Sequence, residues 1–139
     1  MSIMQGATTS FKVQLLDGVH NFLTDTFKIA LYTGNASLGP DTTVYTTSNE
    51  ITGTGYTAGG NTLTATTPTS SGTVAYVSFA NTSWSSASFT ARAALIYNSS
   101  QGNKSVAVLD FGSDKTVSDS TFTITFPVAD ASNAIVRIA

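Results

Sequence analysis

Threonine and serine, with 24 and 18 occurrences among 139 residues, limit what this chain can fold into more than any other feature. Threonine is β-branched, which stiffens its side chain and suits it to the pleated surface of a strand. Serine bonds its own backbone and favours turns and caps. Together they point to strands and turns rather than helices. They also stand where charges usually do: 10% of the residues are Asp, Glu, Lys or Arg, against about 25% in an ordinary soluble domain. A surface so weakly charged lacks the repulsion that keeps small proteins apart, so ordered assembly is expected.

One segment breaks the strand pattern. Phe11, Leu15, Val19 and Phe22 recur at helical spacing, with Leu16 and Leu23 beside them and Lys12, Asp17, His20 and Asn21 opposite, which predicts a helix over 11–23. Ser10 is the expected N-cap. After it the chain reads as strands at 27–32, 43–47, 61–67, 73–80, 89–97, 105–111, 121–126 and 134–138. Ala93–Tyr97 and Val106–Leu109 are nearly continuous apolar runs, as central or doubly covered strands are. Turns are expected at 33–41, at Ser83–Ser86 and after Phe111, and a shaped loop or bulged edge at Glu50–Gly60, where four glycines fall. The reading is an N-terminal arm over 1–10 and one all-β domain over 11–139. That domain is a sandwich or barrel of about seven to eight antiparallel strands with the helix packed on it.

The chain is poor in reactive side chains. It has no cysteine and a single histidine, so disulfides and thiolate metal sites are excluded. His20 on the polar face of the predicted helix, three residues after Asp17, reads as a surface residue; no Gly-x-Ser-x-Gly elbow accompanies it. Glu50 is the only glutamate, and the aspartates fall at strand ends and turns, so a glycosidase pair is not expected. Asp110, Asp114 and Asp119 match no calcium loop. Asp110-Phe111-Gly112 spells a kinase element without the rest of a kinase, and GTGYTAGG lacks the lysine of a phosphate loop. The six basic residues are scattered and the formal net charge is −2, so no nucleic-acid surface is expected. No apolar run reaches the length of a membrane span, and no secretory leader is visible at the start. Trp84 in the polar stretch SWSS would either fold back onto the core or, less favourably, stack on a sugar or partner ring. Arg92 is a lone cation in an apolar strand, expected to pair with Asp110 or Asp114 and so order the chain after Phe111.

Four phrases carry a resemblance: LLDGVHNFLTDTFKIALYT at 15–33, EITGTGYTAGGNTLT at 50–64, SWSSASFTARAALIYN at 83–98 and AVLDFGSDKTVSDSTFTITFP at 107–127. In order along nearly the whole chain, they resemble a family of small structural proteins from tailed bacteriophage particles. Gly53, Gly55, Tyr56, Gly59 and Gly60 carry that resemblance, as do the Thr90–Ala93 strand and Asp110-Phe111-Gly112 followed by Lys115. The resemblance implies a non-enzymatic virion component without cofactor, assembled in a host cytoplasm. It would be a head decoration (cement) protein or a tail part such as a baseplate, collar or fibre-attachment protein. Its expected partners are major capsid or tail proteins and further copies of itself, with neither nucleic acid nor membrane. Contact through sheet edges or the Gly-rich loop at 50–60 would suit that role.

Overall fold

Outward serines and threonines alternate with inward apolar residues and carry the two longest strands straight through stretches that look like turns. A computed structural model describes residues 3–138. In chain order the elements are β1 (Gly6–Ala7), α1 (Thr9–Leu16), β2 (Phe27–Tyr32), β3 (Asn61–Thr62), β4 (Thr69–Ser71), β5 (Val74–Val77), β6 (Thr82–Asn98), β7 (Lys104–Ile124) and β8 (Val136–Ile138). They form two antiparallel sheets, ordered β1-β7-β6-β2-β3 and β4-β5-β8. The fold is sandwich-like and all-β, with one short helix.

The β6–β7 hairpin is the spine. Trp84, Ala87, Phe89 and Ala91 point inward while Ser85, Ser86, Ser88 and Thr90 are exposed. The expected turn at Ser83–Ser86 is therefore part of a strand. Ser86 takes a positive φ of 48° in a bulge that lets the strand run on. Likewise, the two strands expected at 105–111 and 121–126 are one. Between the pairs Ala93↔Asp110 and Ala91↔Lys115, Phe111–Asp114 bulge out opposite Arg92, and Asp119 makes a second bulge opposite Ser88. Sequence reasoning treated the GSD and SDS stretches as strand ends because each resembles a turn; both are bulges instead.

Other boundaries shift for local reasons. The helix starts two residues early, because the side chain of Thr8, not Ser10, accepts from the Phe11 amide at 3.3 Å. It stops at Leu16 rather than Leu23, because Gly18 closes it in the left-handed region with φ 74°. Strand 61–67 shrinks to β3, strand 73–80 to β5, and strand 134–138 to β8. Segment 43–47 contributes only the bridge Val44↔Lys104. β4 was unforeseen. Of the segment read as an arm, β1 pairs with Ala107 and Val108 and Thr8 bonds Ser105 at 2.9 Å; Met1, Ser2 and Ala139 lie outside the described residues.

The central strands are covered on both faces, as their continuous apolar runs predict. One face packs Phe11, Ile29, Leu31, Ala94, Ile96 and Val106 with Phe79 and Phe126. The other packs Ala30, Tyr32, Leu95, Tyr97 and Val108 under Ala36 and Leu38 of the 33–41 loop.

Candidate functional site

Alternate glycines in Thr52-Gly53-Thr54-Gly55-Tyr56 let the backbone lie against another backbone. A Cβ on Gly53 would sit 2.5 Å from the Ser88 carbonyl, and one on Gly55 would sit 2.9 Å from Ala87 Cα. The loop thus presses onto the bulged part of β6, and the Ser88 amide donates to the Thr54 carbonyl at 2.9 Å. At its two ends the Ile51 and Leu63 amides donate to Leu31 and Phe27 and seal the β2 edge. The loop is thus held along β6 and the β2 edge as a shaped loop.

This docking places Tyr56 beside Trp84 and Phe89, with ring centroids 6.2 and 6.0 Å away. Trp84 is 4% exposed and lies in β6, not in a turn. It folds into the core, so a sugar-stacking role has no exposed ring to work with. Its indole N–H is buried without a hydrogen-bond partner among the described residues, a cost of about 1–3 kcal/mol that the surrounding aromatic contacts must offset.

The centre of the region is a residue that sequence reasoning set aside. Glu50 Oε1 accepts from the Tyr45 hydroxyl at 2.6 Å, while Oε2 accepts from the Tyr56 hydroxyl and from the Gly59 amide at 2.8 Å. Tyr97 stacks on Tyr45 at 4.6 Å and donates to the Gly59 carbonyl at 2.6 Å. Burial raises the pKa of each phenol first, and the Glu50 charge adds to it; Tyr97 is pushed up to about 12, and Tyr45 and Tyr56 higher. The phenols remain protonated donors, Tyr45 and Tyr56 to the Glu50 carboxylate and Tyr97 to the Gly59 carbonyl. Chemically this is a clip that locks the loop, not a general base aimed at a substrate. Tyr45, Glu50 and Tyr97 come from three separate stretches, so the only sequence signal was a lone glutamate opening a Gly-rich loop.

Arg92, Asp110 and Asp114 gather elsewhere. Arg92 Nε lies 3.3 Å from Asp110 Oδ1, and that same oxygen accepts from the Gly112 amide at 2.9 Å, shaping the bulge after Phe111. The Asp114 carboxylate and the Arg92 stem both lie beside Gly34. At 32% and 27% side-chain exposure the ion pair itself is worth about 0.5 kcal/mol; its effect is positional.

His20 is the clearest departure. Expected on the surface, it is 6% exposed, because the helix ends at Leu16 and the chain turns back under Phe11, whose ring lies 4.9 Å away. Its Nε2 bonds Gln14 Oε1 at 2.9 Å and its Nδ1 bonds the Asn98 amide nitrogen at 3.0 Å. Asn98 also donates to Asp25 at 2.8 Å. Asn98 can only donate from that nitrogen, so His20 is neutral with its proton on Nε2. Burial lowers its pKa first; Asp25 pulls the other way and Lys104 adds to the lowering. A group depressed below its unfolded value of 6.5 contributes stability that is complete above that pH and lost as pH falls through the folded value. Urea midpoints should therefore drop between pH 7 and 5 in the native protein and change much less in His20→Gln. Equal slopes would show that His20 is not the titrating group.

Among the described residues no three His, Asp or Glu side chains gather as a metal site requires, and no helix is long and apolar enough to cross a membrane. Comparison with known protein families, curated proteins and solved structures found no match.

Proposed function

We propose that the chain is a non-enzymatic structural component of a tailed phage particle, a decoration (cement) protein that bridges capsid subunits. The observation that carries this reading is where its polar chemistry goes. Glu50, His20, Asp25 and Arg92 each bind neighbours within the chain, while large apolar side chains are left outside. Val13, Leu16 and Leu23 are 55%, 90% and 70% exposed, and Val128 and Ile138 are 70% and 54% exposed. Such groups bind by packing rather than by reaction. The phage-like phrases supply the particle and the host cytoplasm as the place of assembly; the major capsid protein is the partner.

The test is location in the particle. Labelled copies of the chain should decorate the head surface in the hundreds by electron microscopy of purified particles. Six or twelve copies at the vertex or tail would replace the decoration reading with a baseplate, collar or fibre-attachment role, and absence from particles would end both.

A further inference from the structure

We infer that a groove on the core-facing side of β7 binds a small amphipathic anion, a carboxylate joined to an apolar body. Residues paired across two strands share a face. Lys115 pairs with Ala91, which is fully buried in the core. The next pair, Thr90 and Thr116, joins its hydroxyls at 2.9 Å on the exposed side. Lys115 is therefore a cation on the core-facing side of β7, at a margin where it stays exposed. Charged residues are rare on such a face unless they are paired. Beside it opens a cleft of about 510 Å³, walled by Leu109, Phe111, Phe122, Ile124 and Phe126, a volume that suits a small ligand. The Phe111 and Phe122 rings stand 6.1 Å apart, and with Leu109 they are only half-buried. An apolar body seated there would take their remaining surface out of water.

The polar groups of the groove set the sign of the ligand. Lys115 is its only charged residue, and no carboxylate lines it. Among the described residues the sole ion pair is Arg92–Asp110, so Lys115 has no counter-charge to give up. Its neighbour Asp114 lies beside Gly34, in the loop whose Ala36 and Leu38 cover the opposite face. Gln5 also lines the groove, and its Oε1 already accepts from the Asp110 amide at 2.9 Å. What Gln5 can offer a ligand is its amide nitrogen, a donor, and Thr123 and Thr125 add hydroxyls. A cation and donors beside aromatic rings complement an acceptor-only head on an apolar body, which is what a carboxylate amphiphile presents. A neutral alcohol would leave the ammonium without a counter-charge, and an amine would repel it. This inference does not depend on the phage assignment, since it concerns the chain alone.

The experiment is an NMR titration of the full chain with octanoate and, separately, with octanol. The native chain should bind octanoate with a Kd of about 1 mM or tighter. K115A should weaken octanoate at least about fivefold but octanol less than about twofold, because the ion pair is lost while the apolar walls remain. K115R, which keeps the charge, should hold octanoate within about twofold of native. Lys12→Ala is the control: Lys12 lines a second apolar cleft, between α1 and β8, that also carries cations, and its loss should leave octanoate binding unchanged. Circular dichroism melts check that each variant is folded. If K115A is not, the amide shifts of the native chain decide alone, falling on Phe111, Lys115 and Phe122 for the groove. A native chain that does not bind octanoate, a K115A variant that binds it as well as native or loses both ligands equally, or shifts and losses centred on Lys12, Leu16 and Ile138 would overturn the inference. Lys115 would then be left as a charge that guards the open edge of β7 against foreign strands.

Discussion

Gly60→Ala is expected to lower stability by about 3–4 kcal/mol, or roughly 10 °C in melting temperature for a domain of this size. Gly60 sits at φ 79°, and a Cβ there would run into the Ile29 carbonyl oxygen and lie 2.6 Å from its carbon and 2.9 Å from Ala30 Cα. Left-handed backbone alone costs alanine about 1–2 kcal/mol. The remainder comes from the collision, since β2 cannot retreat. Ile29 and Ala30 are fully buried and paired with Ile96 and Leu95 of β6, so relief means moving a covered central strand or lifting the loop off its edge. Gly72→Ala is the matched control, because Gly72 has φ 59° but nothing within 4 Å of its Cβ position. It should lose only the backbone part, about 1 kcal/mol. If urea unfolding gives the two variants similar losses, the close approach at Gly60 is wrong.

The same contrast between local and distant causes explains what could be read from the residues. Ala93–Tyr97 and Val106–Leu109 announced themselves as central strands because burial on both faces demands an unbroken apolar run, and β6 and β7 occupy the centre of the larger sheet. The all-β class followed equally from threonine. Arg92 and Asp110 were legible as a pair because a charge in an apolar strand must find its counter-charge nearby. Ser83–Ser86 and Gly112–Asp114 misled for one reason: serine, glycine and aspartate serve turns and bulges alike, and only pairing with a long partner strand distinguishes them. His20 was placed outside because a helix through Leu23 would point it there; one left-handed glycine at position 18 reversed its environment. Glu50 was illegible as a hub because its donors, Tyr45, Tyr56 and the Gly59 amide, converge only once the loop is folded onto β2 and β6.

Glu50→Ala should therefore be the most damaging loss of a polar group, about 3 kcal/mol. It strands the half-buried Tyr45 and Tyr56 hydroxyls and the buried Gly59 amide together, and each such donor left without a partner costs about 1 kcal/mol or more. Glu50→Gln should fall between, since one amide oxygen can still accept while the amide nitrogen faces donors. A pH signature separates the clip from simple loss of packing. A phenol whose folded pKa is raised above its unfolded value of 10.0, as for Tyr97 at about 12, contributes stability that is complete below that unfolded value. The contribution is lost as pH rises through the folded one. The native chain should accordingly lose stability above pH 10 as Tyr45, Tyr56 and Tyr97 are forced to ionise. Removing the Glu50 charge and its hydrogen bonds takes away a share of each shift and leaves burial, the larger cause. The ultraviolet tyrosinate signal of folded Glu50→Ala should thus rise at lower pH than in the native chain, and its unfolding free energy should fall less steeply above pH 10. Coincident tyrosinate titrations in the two proteins would mean that the carboxylate does not hold the phenols, and that the loop is kept in place by its glycines and backbone bonds alone.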